Sequence, residues 1–176
     1  MNTPDDTRGV EVVALARSWI GTPFRHRASV RGAGADCLGL VRGLWRALHG
    51  PEPYALPPYG PLSDDARAEP LWDALAALLA PAPEAGGPGC VLVFRLQRAA
   101  PARHLGIQTA CGASAGFVHA YGRHGVLESP LAGPWARMVV ARFWLAPPGP
   151  GNAAGAGGGV APVDDAADSP RIFLHR

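Results

Sequence analysis

The spacing of apolar residues divides the chain into a helical first half and a strand-rich second half. Three stretches show helical spacing, and each is bounded by proline or glycine. Their apolar positions are Val12, Leu15, Ala16 and Trp19; Leu40, Val41, Leu44 and Leu48; and Leu71, Ala74, Leu75, Leu78 and Leu79. We expect the first helix to start at Thr3 and end at Gly21, the second to stop at Gly50-Pro51, and the third to begin at Pro70.

From Gly89 onward the pattern changes to short runs of β-forming residues separated by turn residues. The runs are CVLVFRL, RHLGIQTA, GFVHAY, GVLES and RMVVARFWL. Helices first and strands afterwards predict an α+β fold. In this fold the N-terminal helices pack on a central antiparallel sheet of about five to six strands.

A change in composition near residue 146 marks a domain boundary. Residues 146–170 contain 18 Ala, Gly or Pro among 25 positions, which predicts a flexible linker. The single domain therefore covers residues 1–145. The last six residues, 171–176, carry an apolar triplet, and we expect them to form a short anchoring segment that orders on a partner surface.

Charge and composition exclude several classes of function. The chain has 176 residues and a net charge of +2, and its 16 basic residues, all arginine, are spread along the sequence rather than clustered for nucleic acid. No apolar run reaches the roughly 18 residues that a membrane span needs, so no membrane insertion is expected. The acidic start at Asp5-Asp6 is unlike a secretory signal, which indicates a protein made in the cytoplasm.

The candidate nucleophile is Cys37, where the glycine-rich loop meets the second helix. A thiol in the first helical turn faces unpaired backbone N–H groups and the positive end of the helix dipole. Both favour the thiolate, which is the nucleophilic form. The alternative is a small buried residue that begins the apolar stripe of the helix.

Two histidines on consecutive predicted strands supply a candidate base. If the turn centres between Gly112 and Ala113, then His104 lies opposite Tyr121, and His119 is a diagonal neighbour of His104. All three side chains then project to one side of the sheet. A nucleophile, a base and a group that orients the base are what nucleophilic catalysis requires. No C-x-x-C or H-x-x-x-H spacing is present, so neither a metal nor another cofactor is expected.

Four motifs in collinear order resemble the NlpC family of papain-like cell-wall cysteine peptidases. They are the nucleophile segment ALARSWIGTPFRHRASVRGAGADCLGLV and the strand segments GPGCVLVF, RHLGI and FVHA, and the similarity covers about residues 9–145. The resemblance implies that Cys37 is the nucleophile, His104 the base and His119 the orienting residue. It also implies a peptidoglycan hydrolase that cuts stem-peptide amide bonds, between D-glutamate and meso-diaminopimelate.

The DCLGL variant, the ending ARFWLAPP and the unsignalled N-terminus are similar to the phage-tail branch of this family, which includes peptidases of gene-transfer-agent particles. This similarity implies a particle-borne enzyme that acts in the recipient's periplasm. Its expected partners are peptidoglycan stem peptides and, through the C-terminal tail, tail-hub or baseplate proteins.

The residues expected around the oxyanion and the substrate are Asp36, Leu38, Phe24, His26 and Tyr121. Two of them depart from the family pattern, since Phe24 replaces a tyrosine and Leu38 replaces a common serine. Cys90 also replaces the aspartate of a Pro-Gly-Asp motif. His26 lies between two arginines, in a loop that is either solvated or in contact with an acidic substrate.

Two other functions remain open at this stage. The chain is alternatively a structural tail-hub component that keeps a vestigial peptidase fold. The same three residues would also serve an amidase or an acyltransferase, because both reactions pass through an acyl-thioester.

Overall fold

The computed structural model describes residues 4–53 and 69–147. The elements in chain order are α1 (Pro4–Arg17), β1 (Ser29–Val30), β2 (Gly34–Ala35), α2 (Cys37–His49), α3 (Pro70–Leu78), β3 (Ala80–Pro81), β4 (Cys90–Phe94), β5 (His104–Ala110), β6 (Gly116–Ala120), β7 (Val126–Pro130), α4 (Gly133–Met138) and β8 (Val139–Trp144). Two short 3-10 turns, Gly112–Ser114 and Gly122–His124, connect β5 to β6 and β6 to β7.

Six strands form one antiparallel sheet in the order β3-β8-β4-β5-β6-β7. The short strands β1 and β2 pair separately within the glycine-rich loop. The predicted α+β fold with a central antiparallel sheet is therefore confirmed. The predicted strand run RMVVARFWL begins two residues too early, since Arg137 and Met138 belong to α4. These two residues are helical because Gly133-Pro134 starts a helix just before them.

The two faces of the sheet are covered by different elements. Alternating side chains of β4 separate the two cores, with Val91 and Val93 in the larger one and Leu92 and Phe94 in the smaller one. The larger core contains the apolar faces of α1, α2 and α3, as predicted. The smaller core is closed by Trp135 and its neighbours in α4. The sequence analysis did not predict this second covered face.

The turn after α1 approaches α2 closely because α2 has a glycine at the contact. A Cβ built on Gly43 of α2 would lie 2.2 Å from the ring of Trp19. Regular helix in α1 ends at Arg17, four residues before the predicted end. The next residues form tighter turns, and Gly21, with φ +87, directs the chain toward β7, where its N–H donates to the Val126 carbonyl at 2.9 Å.

The described domain ends close to the predicted boundary. Leu145 is buried, and the N–H of Ala80 donates to the carbonyl of Ala146 at 2.9 Å. Thr3, most of the predicted linker and the predicted anchoring segment 171–176 lie outside the described residues. Within the described ranges, no helix combines the length and apolar character needed to cross a bilayer.

Candidate active site

Cys37 is the first residue of α2, and the preceding Asp36 caps the helix. Oδ1 of Asp36 accepts a hydrogen bond from the N–H of Gly39 at 2.7 Å. Oδ2 accepts one from the N–H of Arg27 at 2.6 Å. A capping carboxylate satisfies a donor at the helix start that would otherwise have no partner. One buried carboxylate thus fixes the nucleophile's helix to the loop that precedes it.

The Cys37 sulfur is half-buried and surrounded by backbone donors. Burial raises the pKa of its thiol to about 11, and the charge of Asp36 acts in the same direction. The N–H groups of Leu105, Leu38 and Cys37 itself donate toward the sulfur and lower the pKa, but by less. The expectation that the helix start favours a thiolate is therefore wrong for the free molecule, because the cost of burying the charge is larger.

The two predicted histidines meet as the sequence register requires. Ile107 of β5 lies opposite Val118 of β6, which is the predicted register, and the pairing shifts only near the hairpin end. The rings of His104 and His119 are on the same side of the sheet, and His104 Nε2 lies 2.8 Å from His119 Nδ1. The ring of Tyr121 lies on this side too, 5.9 Å from that of His104.

A third residue extends this hydrogen-bonded pair. His119 Nε2 lies 3.0 Å from the hydroxyl oxygen of Ser129 on β7. Leu127 is the direct partner of His119 across the two strands, so Ser129, two residues further on, faces the same side. Both ring nitrogens of His119 therefore have polar partners. Nδ1 of His104 is the one ring nitrogen of the two histidines that takes no part in these two hydrogen bonds.

An aromatic shell encloses the two imidazoles. Its rings belong to Phe94, Phe117, Tyr121 and Trp135. Burial lowers the pKa of His104 to about 3, and the neighbouring charge of His119 acts in the same direction. Burial alone lowers the pKa of His119 to about 4. Both imidazoles are therefore neutral at pH 7, as is the Cys37 thiol.

The five residues predicted around the substrate occupy different environments. Asp36 is buried as the helix cap, and His26 Nδ1 lies 3.4 Å from its Oδ2. Phe24 pairs with Ala35 in the loop before Cys37, and its side chain is 40 % exposed. Tyr121 is 45 % exposed beside the histidines. Leu38 packs against the larger core.

The other two cysteines differ sharply from each other. Cys90 is buried, and burial raises the pKa of its thiol to about 12. Cys111 is exposed in the connection after β5. Among the described residues, no group of three or more His, Cys, Asp or Glu side chains is arranged to hold a metal ion.

Three groups that contact the candidate site residues were not predicted from the sequence. They are Ser129, Trp135 and the backbone N–H of Leu105. Extending the strand register across the turn YGRHG would have placed Ser129 diagonally to His119. The helix start at Gly133-Pro134 was the available signal for Trp135. No sequence signal indicates a backbone N–H directed at a sulfur.

Solved structures are similar to much of this arrangement of helices and sheet. An NlpC/P60 family protein from Bacillus cereus is 14% identical, with a TM-score of 0.54, over 76% of this chain and 39% of its own. A protein from Staphylococcus aureus described as similar to a lipoprotein of the NLP/P60 family is 18% identical, with a TM-score of 0.52, over 80% of this chain and 42% of its own. The fold is that of an NlpC/p60 domain.

The NlpC/p60 domain of the peptidoglycan hydrolase SagA is 20% identical over 70% of this chain and 89% of its own, with a TM-score of 0.47. The chain spans about two-fifths of the length of the Bacillus and Staphylococcus proteins. No protein-family model matches the sequence, and neither does any curated protein.

Proposed function

We propose that the chain is a peptidoglycan hydrolase, a cysteine endopeptidase that cleaves stem-peptide amide bonds between D-glutamate and meso-diaminopimelate. The supporting observation is the hydrogen bond between His104 and His119, 2.8 Å long, on strands packed beside the start of the Cys37 helix. The motifs that resemble the NlpC family assign nucleophile, base and orienting residue to these three positions. The NlpC/p60 fold agrees with that assignment.

In the first proposed step, Cys37 attacks the scissile carbonyl carbon. Both groups are neutral at rest, so the thiol proton passes to Nδ1 of His104 as the carbon–sulfur bond forms. The Asp36 cap occupies the Gly39 N–H and leaves the N–H groups of Cys37 and Leu38 beside the sulfur. These two donors stabilise the oxyanion of the tetrahedral intermediate.

In the second step, the protonated His104 gives its proton to the leaving amine, and an acyl-thioester remains on Cys37. His104 then takes a proton from water, which attacks the thioester carbonyl. The carbon–sulfur bond breaks, the shortened peptide leaves with a new carboxyl group, and His104 returns the proton to the Cys37 sulfur. His119 accepts a hydrogen bond from Nε2–H of His104 throughout the cycle. Phe24 has no hydroxyl where the family has a tyrosine, so these backbone donors act without one.

Digestion of purified peptidoglycan tests this proposal directly. The full chain is incubated with sacculi that contain meso-diaminopimelate, and the released fragments are identified by mass spectrometry. We expect fragments that end in D-glutamate and new amino groups on diaminopimelate. Cys37→Ala is the matched inactive control, and Cys111→Ser should keep full activity because Cys111 is exposed outside the site.

The outcome separates the alternatives. Release of sugar-linked fragments without stem peptide would identify an amidase, and new peptide cross-links would identify an acyltransferase. If the folded protein releases no fragments from sacculi of several peptidoglycan types, a structural component with a vestigial site is favoured.

We further propose delivery on a phage-like tail, with the C-terminal tail bound to a tail-hub or baseplate protein and with action in the recipient's periplasm. The support is the resemblance of the DCLGL and ARFWLAPP segments and the composition of residues 146–176. A chain truncated after Pro147 keeps the Ala80–Ala146 hydrogen bond and should still digest peptidoglycan.

The truncated chain should be missing from purified particles, because its anchoring segment is absent. Normal incorporation of the truncated chain would contradict the anchoring proposal and leave the hydrolase proposal intact.

A further inference from the structure

We propose that Ser129 is a positioning residue that accepts a hydrogen bond from His119 and thereby keeps both histidines in the tautomer that lets His104 act as a base. The inference rests on the proposed function for its catalytic meaning. Its geometry is independent of that function, because Ser129 Oγ lies 3.0 Å from His119 Nε2.

The direction of the hydrogen bonds follows from the proposed role of His104. Nε2 of His104 faces His119, so Nδ1 is the nitrogen that a base would use, and it must be unprotonated at rest. A neutral imidazole carries one hydrogen, so His104 carries it on Nε2.

The next two groups follow from this assignment. Nε2–H of His104 donates to Nδ1 of His119 across 2.8 Å. His119 therefore carries its own hydrogen on Nε2, and this hydrogen points to the oxygen of Ser129. In the opposite arrangement His119 donates to His104, and His104 presents an N–H to the thiol. That arrangement has no base.

Packing holds the ring of His119 in place, so the main property that can still change is which of its two nitrogens carries the hydrogen. Its ring is 1% exposed and lies 4.4 Å from the ring of Phe117, 5.5 Å from that of Tyr121 and 5.0 Å from that of Trp135, measured between centroids. A buried N–H without an acceptor is costly, so removal of the Ser129 oxygen favours the tautomer in which His119 is protonated on Nδ1. Ser129 is half-buried on an edge strand, so its own hydroxyl hydrogen can reach water.

Nitrogen NMR of the full chain with 15N-labelled histidine tests the inference at pH 7.5, since the two tautomers give distinct ring-nitrogen shifts. In the wild-type protein both His104 and His119 should be protonated on Nε2. In Ser129→Ala, His119 should shift toward the Nδ1–H form, and Ser129→Thr should restore the wild-type pattern. Ser114→Ala, an exposed serine between β5 and β6, is the matched control and should change nothing.

Kinetics supply the second measurement. With peptidoglycan as substrate, Ser129→Ala should lower kcat on the order of tenfold with KM unchanged, and Ser129→Thr should recover it. Wild-type tautomers in Ser129→Ala, or a loss that threonine does not restore, would overturn the inference. If the wild-type protein cleaves no peptidoglycan, the proposed function fails, while the NMR measurement still decides the role of Ser129.

Discussion

Two local effects of different size set the protonation state of the Cys37 thiol. A helix N-terminus contributes roughly 0.3–1 kcal/mol toward a charged group, and up to about 2 kcal/mol in partly buried geometries. Removing a charge from water costs several kcal/mol. The sequence reveals the helix start but not the burial of the sulfur, and the effect of burial is larger. The resting thiol is therefore protonated.

Alkylation of the three thiols should follow their exposure, and the raised pKa values of Cys37 and Cys90 should slow these two further. At pH 7 we expect iodoacetamide to modify the exposed Cys111 first, Cys37 more slowly, and the buried Cys90 only after unfolding. Peptide mapping by mass spectrometry at several reaction times measures the order, and a urea-unfolded sample gives the reference rates. If Cys37 reacted fastest in the folded protein, the resting site would hold a thiolate–imidazolium pair instead of two neutral groups.

Substitutions in the proposed site should differ in severity. Cys37→Ala removes the nucleophile and His104→Ala the base, so each should lower peptidoglycan cleavage by about 10³-fold or more. His119→Ala should cost less, because the role proposed for this residue is only to orient His104. Cleavage is measured as soluble fragments released per hour, with folding checked by circular dichroism. Wild-type activity in a folded Cys37→Ala variant would refute the mechanism.

At the scale of elements, the contact between α2 and the turn after α1 depends on the absence of a side chain at Gly43. Alanine is usually better than glycine inside a helix by about 1 kcal/mol. At Gly43 the added methyl would lie 2.2 Å from Trp19, and the ring lies in the buried core. Overpacking of this kind costs about 1–3 kcal/mol, so the steric effect decides the sign.

We therefore expect Gly43→Ala to destabilise the domain by about 1–2 kcal/mol, measured by urea unfolding. Ala47→Gly, at an exposed position of the same helix, is the matched control and should cost about 1 kcal/mol through helix propensity alone. A gain in stability for Gly43→Ala would show that Trp19 and α2 can move apart without destabilising the domain.

The sheet shows which elements the sequence could specify. The runs of β-forming residues and the turn residues between them predicted β4 to β8, and the position of one turn predicted the His104–His119 register. Pairing across a short hairpin is local information. The sequence did not predict β3, which has two residues, or α4, which has six. Such short elements are held by contacts with distant parts of the chain, and periodicity cannot indicate them.

At the scale of the whole molecule, the buried histidine pair links stability to pH. Burial lowers the pKa of His104 to about 3 and that of His119 to about 4, while an unfolded histidine has a pKa of about 6.5. The unfolded chain therefore binds more protons than the folded one below about pH 6.5. Stability is full above that pH and falls as the pH is lowered toward about 4.

The expected loss at pH 5, relative to pH 7.5, is about 2 kcal/mol for each histidine. Because pH 5 lies above both folded pKa values, this loss depends mainly on the unfolded value. Urea unfolding of the wild type and of His119→Gln at the two pH values measures it, and the variant should lose about half of the dependence. His124→Gln, an exposed histidine, is the control. Equal pH dependence in wild type and His119→Gln would contradict the burial argument.

The sequence indicates the candidate residues of the site but not the environment around them. Motif order singled out Cys37, His104 and His119 as candidates, since each lies in a recognisable segment, and local register predicted that the two histidines meet. The environment that sets their protonation comes from Leu105, Trp135 and the sheet face beneath α4. Such an environment depends on tertiary packing.

The arrangement of the site along the chain has a consequence for synthesis. Cys37 belongs to the first half of the polypeptide, while His104 and His119 are translated later, so the nascent chain exposes a thiol that has no base. The contacts of α2 with β5 and β6, which unite the two halves, have high sequence separation, and contacts of this kind generally form slowly. The proposed wall-degrading activity would therefore appear only once the whole domain has folded, and partial translation products would be harmless to the cell that makes them.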